Sequence, residues 1–246
     1  MRAADAPARK PHVVTDLPSR RWKAQKIERL LGLSELPGPL RLLEIGTGTG
    51  GIAQYFSRHP SGRFDVDAVD VVDSRSGECD FRFTKVTDTT LPFAADSFDL
   101  VLSNHVIEHV GDAAAQRRHL AEIARVLRPG GRGYLAVPNR WMLVEPHYHL
   151  AFLSWLPRSW RSAWLRLWRR GEYYDCEPLS LPVLEGLLRE GALDFRNRGI
   201  EALRATFEIE RAGRASTRLL ARVPDALLRP FVAAIPTHIY TFRHGR

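Results

Sequence analysis

The sequence predicts an α/β protein built on one doubly wound, mostly parallel sheet with helices on both faces. Three observations carry that prediction. Strand-like and helix-like segments alternate from Leu40 onward. The segments Leu40–Ile45 and Phe98–Ser103 are apolar along most of their length, which suits strands covered on both faces. The first of them runs into a glycine-rich turn, Gly46–Gly51, that opens a helix.

Taken in order, an amphipathic helix is expected from about Arg20 to Leu31, stopped at Gly32. Pro37, Gly38 and Pro39 then turn the chain into the first strand, and the helix after the glycine turn covers Ile52–Ser57. Strands follow at Phe64–Val69, with Asp70 at the tip, at Phe81–Val86 and at Phe98–Ser103. Ala113–Leu127 is a helix, closed by the turn Arg128-Pro129-Gly130-Gly131, before a strand at Gly133–Val137. Beyond Pro138 the texture becomes rich in Trp, Arg, Pro and His. A helix at Leu181–Glu190, capped by Ser180 and stopped by Gly191, leads to a strand near Asp194–Arg198. Helices near Ala202–Val223 and Asp225–Ala234 and a closing strand Thr237–Arg243 complete the chain.

The glycine turn carries the chemistry. Glycines there let the backbone bend sharply and approach a ligand, and the helix behind offers unpaired N–H groups. The crevice at the strand C-termini is where such sheets bind ligands. Two spacings fit at once. Gly46, Gly48 and Gly51 satisfy the dinucleotide pattern G-x-G-x-x-G, which would make an NAD(P)-dependent oxidoreductase. Glu44 with Gly46, Gly48 and Gly50, around Thr47, satisfies acid-x-G-x-G-x-G. Asp70 serves either, since a carboxylate there accepts both hydroxyls of a ribose. Asp73 stands three residues further on and is the rival ligand.

Three blocks, LLEIGTGTGGIAQYF (Leu42–Phe56), DTTLPFAADSFDLVLSNHVIEHV (Asp88–Val110) and EIARVLRPGGRGYLAVPN (Glu122–Asn139), resemble the type 11 methyltransferase family in order and spacing. That broad group includes quinone-biosynthesis C-methyltransferases. The resemblance implies a Rossmann-like class I fold and S-adenosylmethionine as cofactor. It implies that Glu44 and the glycines line the methionine end and that Asp70 binds the ribose. Asp88 would sit near the adenine amino group, and Asn104 beside the methionyl moiety. On this reading residues 1–18 are a disordered tail and 19–246 one methyltransferase domain. Residues 40–139 form its cofactor-binding core, 140–180 a substrate lid, and 181–246 the completion of the fold.

Methyl transfer to carbon, oxygen or nitrogen usually also needs a proton removed, and histidine is the convenient base. His105 and His109 follow the fourth strand; His147 and His149 flank Tyr148 beyond the fifth. His147 or His149 is the expected base. An H-x-H pair also suits a metal, but no third ligand is apparent in the sequence, so no metal is expected.

Net charge is +8, and the densest basic block is Arg158, Arg161, Arg166, Arg169 and Arg170, with no acid among them. As a helix within Pro157–Gly171, Trp160, Ala163, Trp164, Leu167 and Trp168 share one face, and Arg158, Arg161, Arg169 and Arg170 the other. Either the tryptophans pack on the domain as a lid, or the helix lies in a membrane interface and the acceptor is lipid-linked. Nucleic acid ranks last, because no RNA-binding module is recognisable. Two cysteines form no disulfide framework, the N-terminus carries no secretory signal, and no apolar run reaches the ~20 residues that span a bilayer. The expectation is therefore a cytoplasmic enzyme, with peripheral membrane contact left open, acting on a small-molecule or lipid-linked acceptor. A catalytically inactive S-adenosylmethionine-binding interaction protein is the rival of a different kind.

Overall fold

The computed structural model describes residues 17–75 and 77–245. The expected disordered tail falls mainly on residues 1–16, which lie outside the described residues. The first helix, α1, spans Leu17–Leu31 and so begins earlier than its apolar spacing suggested.

A seven-stranded sheet forms the centre. Its strands are β1 (Leu40–Ile45), β2 (Phe64–Asp70), β3 (Arg82–Lys85), β4 (Phe98–Asn104), β5 (Leu127–Pro138), β8 (Leu193–Asn197) and β9 (Thr237–His244). The spatial order is β3-β2-β1-β4-β5-β9-β8. β1 to β5 run parallel, whereas β9 is antiparallel to β5 and to β8. The strand order reverses between β1 and β4, which opens a crevice at their C-terminal ends. β4 is buried from Phe98 to Ser103, as its unbroken apolar run requires.

Helices cover both faces. α1 and α2 (Gly51–Ser57) join α6 (Gly199–Glu210) over one side, where Ile27, Ile52, Phe56 and Ala202 meet Leu42, Leu100 and Tyr134. α3 (Ala113–Val126) and α5 (Leu181–Glu190) cover the other, where Leu120, Ile123, Leu184 and Leu188 meet Leu43, Val101 and Leu135. The Asp112 side chain accepts from Ala115 N and caps α3. The strict alternation expected from the sequence lapses around β3. Segments 71–81 and 86–97 are short for a crossover helix, and none appears among their described residues.

Two other boundaries move. Arg128–Gly131 is not a turn before β5 but a bulge within it: Phe98 pairs with Leu127 and Leu100 already with Arg132. The long C-terminal helix breaks into α6 and α7 (Ala215–Arg222) around Gly213, whose φ is +80°. A short α8 (Asp225–Leu228) then tightens into a 3-10 turn over Arg229–Ala234.

Between β5 and α5 the chain builds a small core of its own from Leu150, Leu153, Leu165, Tyr174 and Cys176. It contains a two-stranded ribbon, β6 (Val144–Glu145) and β7 (Leu150–Ala151), and the helix α4 (Arg158–Leu167). No helix among the described residues is long and apolar enough to cross a membrane.

Candidate active site

One cavity of about 1070 Å³ lies at the strand C-termini, lined by Gly46–Gly48, Asp70, Asp88 and Asn104 and also by His109 and His147. That volume exceeds the common range for a single drug-sized ligand, so it has room for a cofactor and an acceptor together.

The loop after β1 is held from beneath. Glu44 is buried; its carboxylate accepts from Thr47 Oγ1 at 2.7 Å and from Ala53 N at 2.9 Å, tying the loop to the start of α2. Burial pushes its carboxyl up to about 7, against the pull of those two hydrogen bonds. Glu44 thus departs from the expected direct role. It does not line the cavity, because its carboxylate is spent beneath the loop, whereas Thr47 does line it. The glycines at 46, 48 and 50 all have positive φ, +71°, +55° and +82°. A Cβ at Gly46 would meet Val106 Cγ2 at 2.4 Å and one at Gly50 would meet Phe81 Cζ at 2.7 Å. A Cβ at Gly48 would meet nothing within 4 Å.

Asp70 ends β2 with its carboxylate oriented by backbone donors: Oδ2 accepts from Gly48 N at 2.8 Å and Oδ1 from Val71 N at 2.7 Å. Its rival Asp73 is exposed and paired with Arg75 at 2.8 Å. That guanidinium holds its carboxyl down at about 2, and Asp73 does not line the cavity. The Asp88 carboxylate accepts from Thr90 N at 2.7 Å, and this bond with the Thr90 side chain keeps its carboxyl below the ordinary range. Arg20, Lys23 and Lys26 of α1 also line the cavity and were missed, because on an amphipathic helix they look like solvated charges. Burial first, then Arg20 and Lys26, pulls the Lys23 ammonium down to about 8.

At the other end three segments converge. The loop after β4 brings His105, the fully buried Glu108 and His109. The ribbon brings Glu145 and His147, and the strap before α5 brings Asp175 and Cys176. Glu145, 1% exposed, holds His147 Nδ1 at 2.6 Å. Burial works against charging His147, but Glu145, Glu108 and Asp175 prevail and raise it above the ordinary histidine value.

His149 does not share this place. It is exposed, adopts φ +53°, and is not part of the cavity wall, so the tight ribbon separates the two histidines that the sequence offered as equals. The metal argument changes too. The H-x-H pair does not converge, yet His109 gathers with Asp175 and Cys176, and His147 with Glu145 and Cys176, each trio with ligand atoms within 4.8 Å. These groups meet across the fold rather than within the H-x-H segment. An Asp-Cys pair in an aromatic strap was the only signal.

One arginine of α4 departs from the expected division into faces: Arg161 is buried, while Arg158, Arg169 and Arg170 are exposed and Trp164 packs on the small core. Arg161 is 1% exposed, donates to the carbonyls of Leu156 and Ser154, and lies 3.6 Å from Glu177. Trp160, Leu167 and Trp168 are 65%, 71% and 56% exposed. The helix meets its small core through Leu165 and Arg161, so the packed stripe lies one residue off the tryptophan stripe. Trp141, Leu143, Val144, Phe152 and Trp155 are exposed on the same stretch of chain.

The glycine loop, the aspartate at the tip of β2 and the sheet order are those of an enzyme class that binds a nucleoside-bearing cofactor at a strand-order switch. A family model described as a methyltransferase domain matches residues 43–135. The chain is 32% identical over 158 residues to the uncharacterized methyltransferase YcgJ of Bacillus subtilis, covering 58% of this chain and 61% of that one. It is 30% identical over 182 residues to a ubiquinone biosynthesis O-methyltransferase of Ruegeria pomeroyi, covering 68% and 69%. Against other curated relatives of that name it spans only about half their length, 50% for the Parvibaculum lavamentivorans protein. Among solved structures it is similar in fold to a putative sarcosine dimethylglycine methyltransferase from Galdieria sulphuraria, with TM-score 0.53, 16% identity, and coverage of 93% and 86%. The chain belongs to the class I S-adenosylmethionine-dependent methyltransferases. S-adenosylmethionine is the cofactor of that class, and the nicotinamide reading of the glycine spacing falls away.

Proposed function

We propose that this protein methylates a hydroxyl group of an amphipathic, lipid-linked acceptor at the cytoplasmic surface of a membrane. The observation that carries the reading is the Glu145–His147 pair, 2.6 Å apart, with His147 lining the same cavity as the glycine loop. A histidine raised by a buried carboxylate suits an oxygen nucleophile, whose proton must leave as the new bond forms. The ubiquinone-biosynthesis relatives are O-methyltransferases by name, which favours oxygen over carbon or nitrogen.

The residues fit the cofactor. Gly48 leaves open space where a ligand can approach the backbone, and Asp70 presents an oriented carboxylate suited to a ribose diol. Asp88 would take the adenine amino group and Asn104 the methionyl end; Glu44 acts through the loop. Bound S-adenosylmethionine supplies an electrophilic methyl group and a neutral thioether leaving group. His147, with Nδ1 engaged by Glu145, would take the acceptor's proton on Nε2 as the O–C bond forms and the S–C bond breaks. The 140–180 segment acts as the lid that excludes water from this step.

The same segment supports the lipid surface. Its exposed Trp160, Leu167 and Trp168 stand beside exposed Arg166, Arg169 and Arg170, the composition of a helix seated in an anionic interface. The test is transfer of a labelled methyl group from S-adenosylmethionine to catechols and phenols carrying short or polyprenyl tails, with and without anionic vesicles. Label in an O-methyl ether, faster with tailed acceptors on vesicles, is the expected result. Binding of the cofactor without transfer to any hydroxyl acceptor would leave an inactive binding protein.

A further inference from the structure

Three carboxylates gather with histidines around Cys176. Glu108, Glu145 and Asp175 converge on Cys176, with His105, His109 and His147 against Glu108 and Glu145. Neither oxygen of Glu108 meets a donor in hydrogen-bonding geometry, although the side chain is fully buried. The nearest groups are His105 Nδ1 at 3.4 Å and His109 Nε2 at 3.9 Å. A buried carboxylate whose oxygens lack hydrogen-bond donors is costly, and a divalent cation nearby would offset that cost beyond what the two histidines supply.

We propose that His109, Asp175 and Cys176 hold a zinc ion whose fourth position opens into the cavity beside His147. Cys176 Sγ lies 3.7 Å from His109 Nδ1 and 3.5 Å from Asp175 Oδ1. Tetrahedral zinc with its usual bond lengths places sulfur about 3.6 Å from nitrogen and about 3.5 Å from oxygen. Little movement therefore separates the observed donors from a coordination sphere. Thiolate with imidazole and carboxylate selects zinc over magnesium or calcium, which take oxygen ligands. His109 coordinates through Nδ1 while Nε2 faces Glu108, the carboxylate–histidine–zinc relation that orients a ligand and raises its basicity.

Burial first, then Asp175, Glu145 and Glu108, pushes the Cys176 thiol well above its usual value, so the metal-free site keeps the proton. On binding, the S–H bond breaks, a Zn–S bond forms and the proton leaves to solvent. Three protein ligands and one open position are the pattern of zinc sites that bind substrate. His109 and Asp175 both line the cavity, so the open position would receive the acceptor oxygen and lower its pKa. The ion would also pin the loop after β4 to the strap before α5. Its role toward the acceptor rests on the hydroxyl-methylation reading; metal binding itself does not.

The test is titration of the purified full chain with Co²⁺ as a spectroscopic stand-in, followed by displacement with Zn²⁺. The expected result is one tight equivalent with a sulfur-to-cobalt charge-transfer band and the visible spectrum of four-coordinate cobalt. Cys176→Ser should abolish the charge-transfer band and Cys79→Ser should leave it intact. Glu108→Gln should weaken binding ~10–100-fold without removing the band. S-adenosylmethionine titration of each variant reports whether the fold and cofactor site survive. No band in the parent chain, or a band that persists in Cys176→Ser, would overturn the site. A normal band in a protein that methylates no hydroxyl would instead overturn the acceptor reading alone.

Discussion

Gly48→Ala separates ligand binding from stability, because the two neighbouring glycines are constrained differently. Both Gly46 and Gly48 adopt left-handed φ, +71° and +55°, so an alanine at either costs about 1–2 kcal/mol in backbone strain. At Gly46 the added Cβ would also meet Val106 Cγ2 at 2.4 Å, well inside van der Waals contact, so the loop after β4 must shift. At Gly48 it meets nothing within 4 Å, since that side faces the open cavity. Gly48→Ala should therefore lose only the strain, which for a chain of this size lowers the melting temperature by about 2–4 °C per kcal/mol. It should nonetheless weaken S-adenosylmethionine at least tenfold, because the methyl occupies space the cofactor needs. Gly46→Ala should melt lower still and be partly rescued by Val106→Ala, which removes the clash. Thermal melting without cofactor and calorimetric titration with it read the two effects separately. Unchanged affinity in Gly48→Ala would refute the placement of the cofactor against this loop.

Asp70→Ala should weaken the cofactor about 10–100-fold, the worth of charge-assisted hydrogen bonds, whereas Asp73→Ala should leave titrations unchanged; the reverse ranking would reassign the ribose ligand. Methyl transfer should rise with pH as His147 loses its proton, through a value raised above the ordinary histidine range. In Glu145→Gln the carboxylate that raises it is gone while burial remains, so the rising limb should move to lower pH with a lower plateau; an unmoved limb in initial rates would remove His147 as the base. Trp160→Ser and Trp168→Ser should each weaken cosedimentation with anionic vesicles roughly tenfold, since each removes a large apolar side chain from the interface, and parent protein that stays in the supernatant would end the membrane reading. Charge reversal at Arg161 is instead expected to unfold the 140–180 segment, measured by proteolysis, because that guanidinium is buried against Ser154, Leu156 and Glu177.

The sheet was legible in the sequence because its information is local. β1 needs only an apolar run and the glycines that follow it, and β4 only a run buried on both faces. Gly46, Gly48, Asp70 and Asn104, which line the cavity, could be placed for the same reason: they sit at strand tips that the pattern of runs already locates. Elements whose ends depend on a neighbour were read less well. The bulge at Arg128–Gly131 exists because β5 pairs with β4 on both sides of it, and the register shift is invisible in one strand alone.

What the sequence by itself determined is the parallel core, the glycine loop and the polar residues at the strand ends. These follow from hydrophobic period and backbone permissiveness within a few residues. Only the tertiary structure decided which histidine faces the cavity, which side of α4 is buried, and that Glu44 works from beneath the loop. It alone brought Glu108, Glu145 and Cys176 together. Those outcomes depend on contacts between segments far apart in the chain, where a helical or ribbon face is chosen by what packs against it.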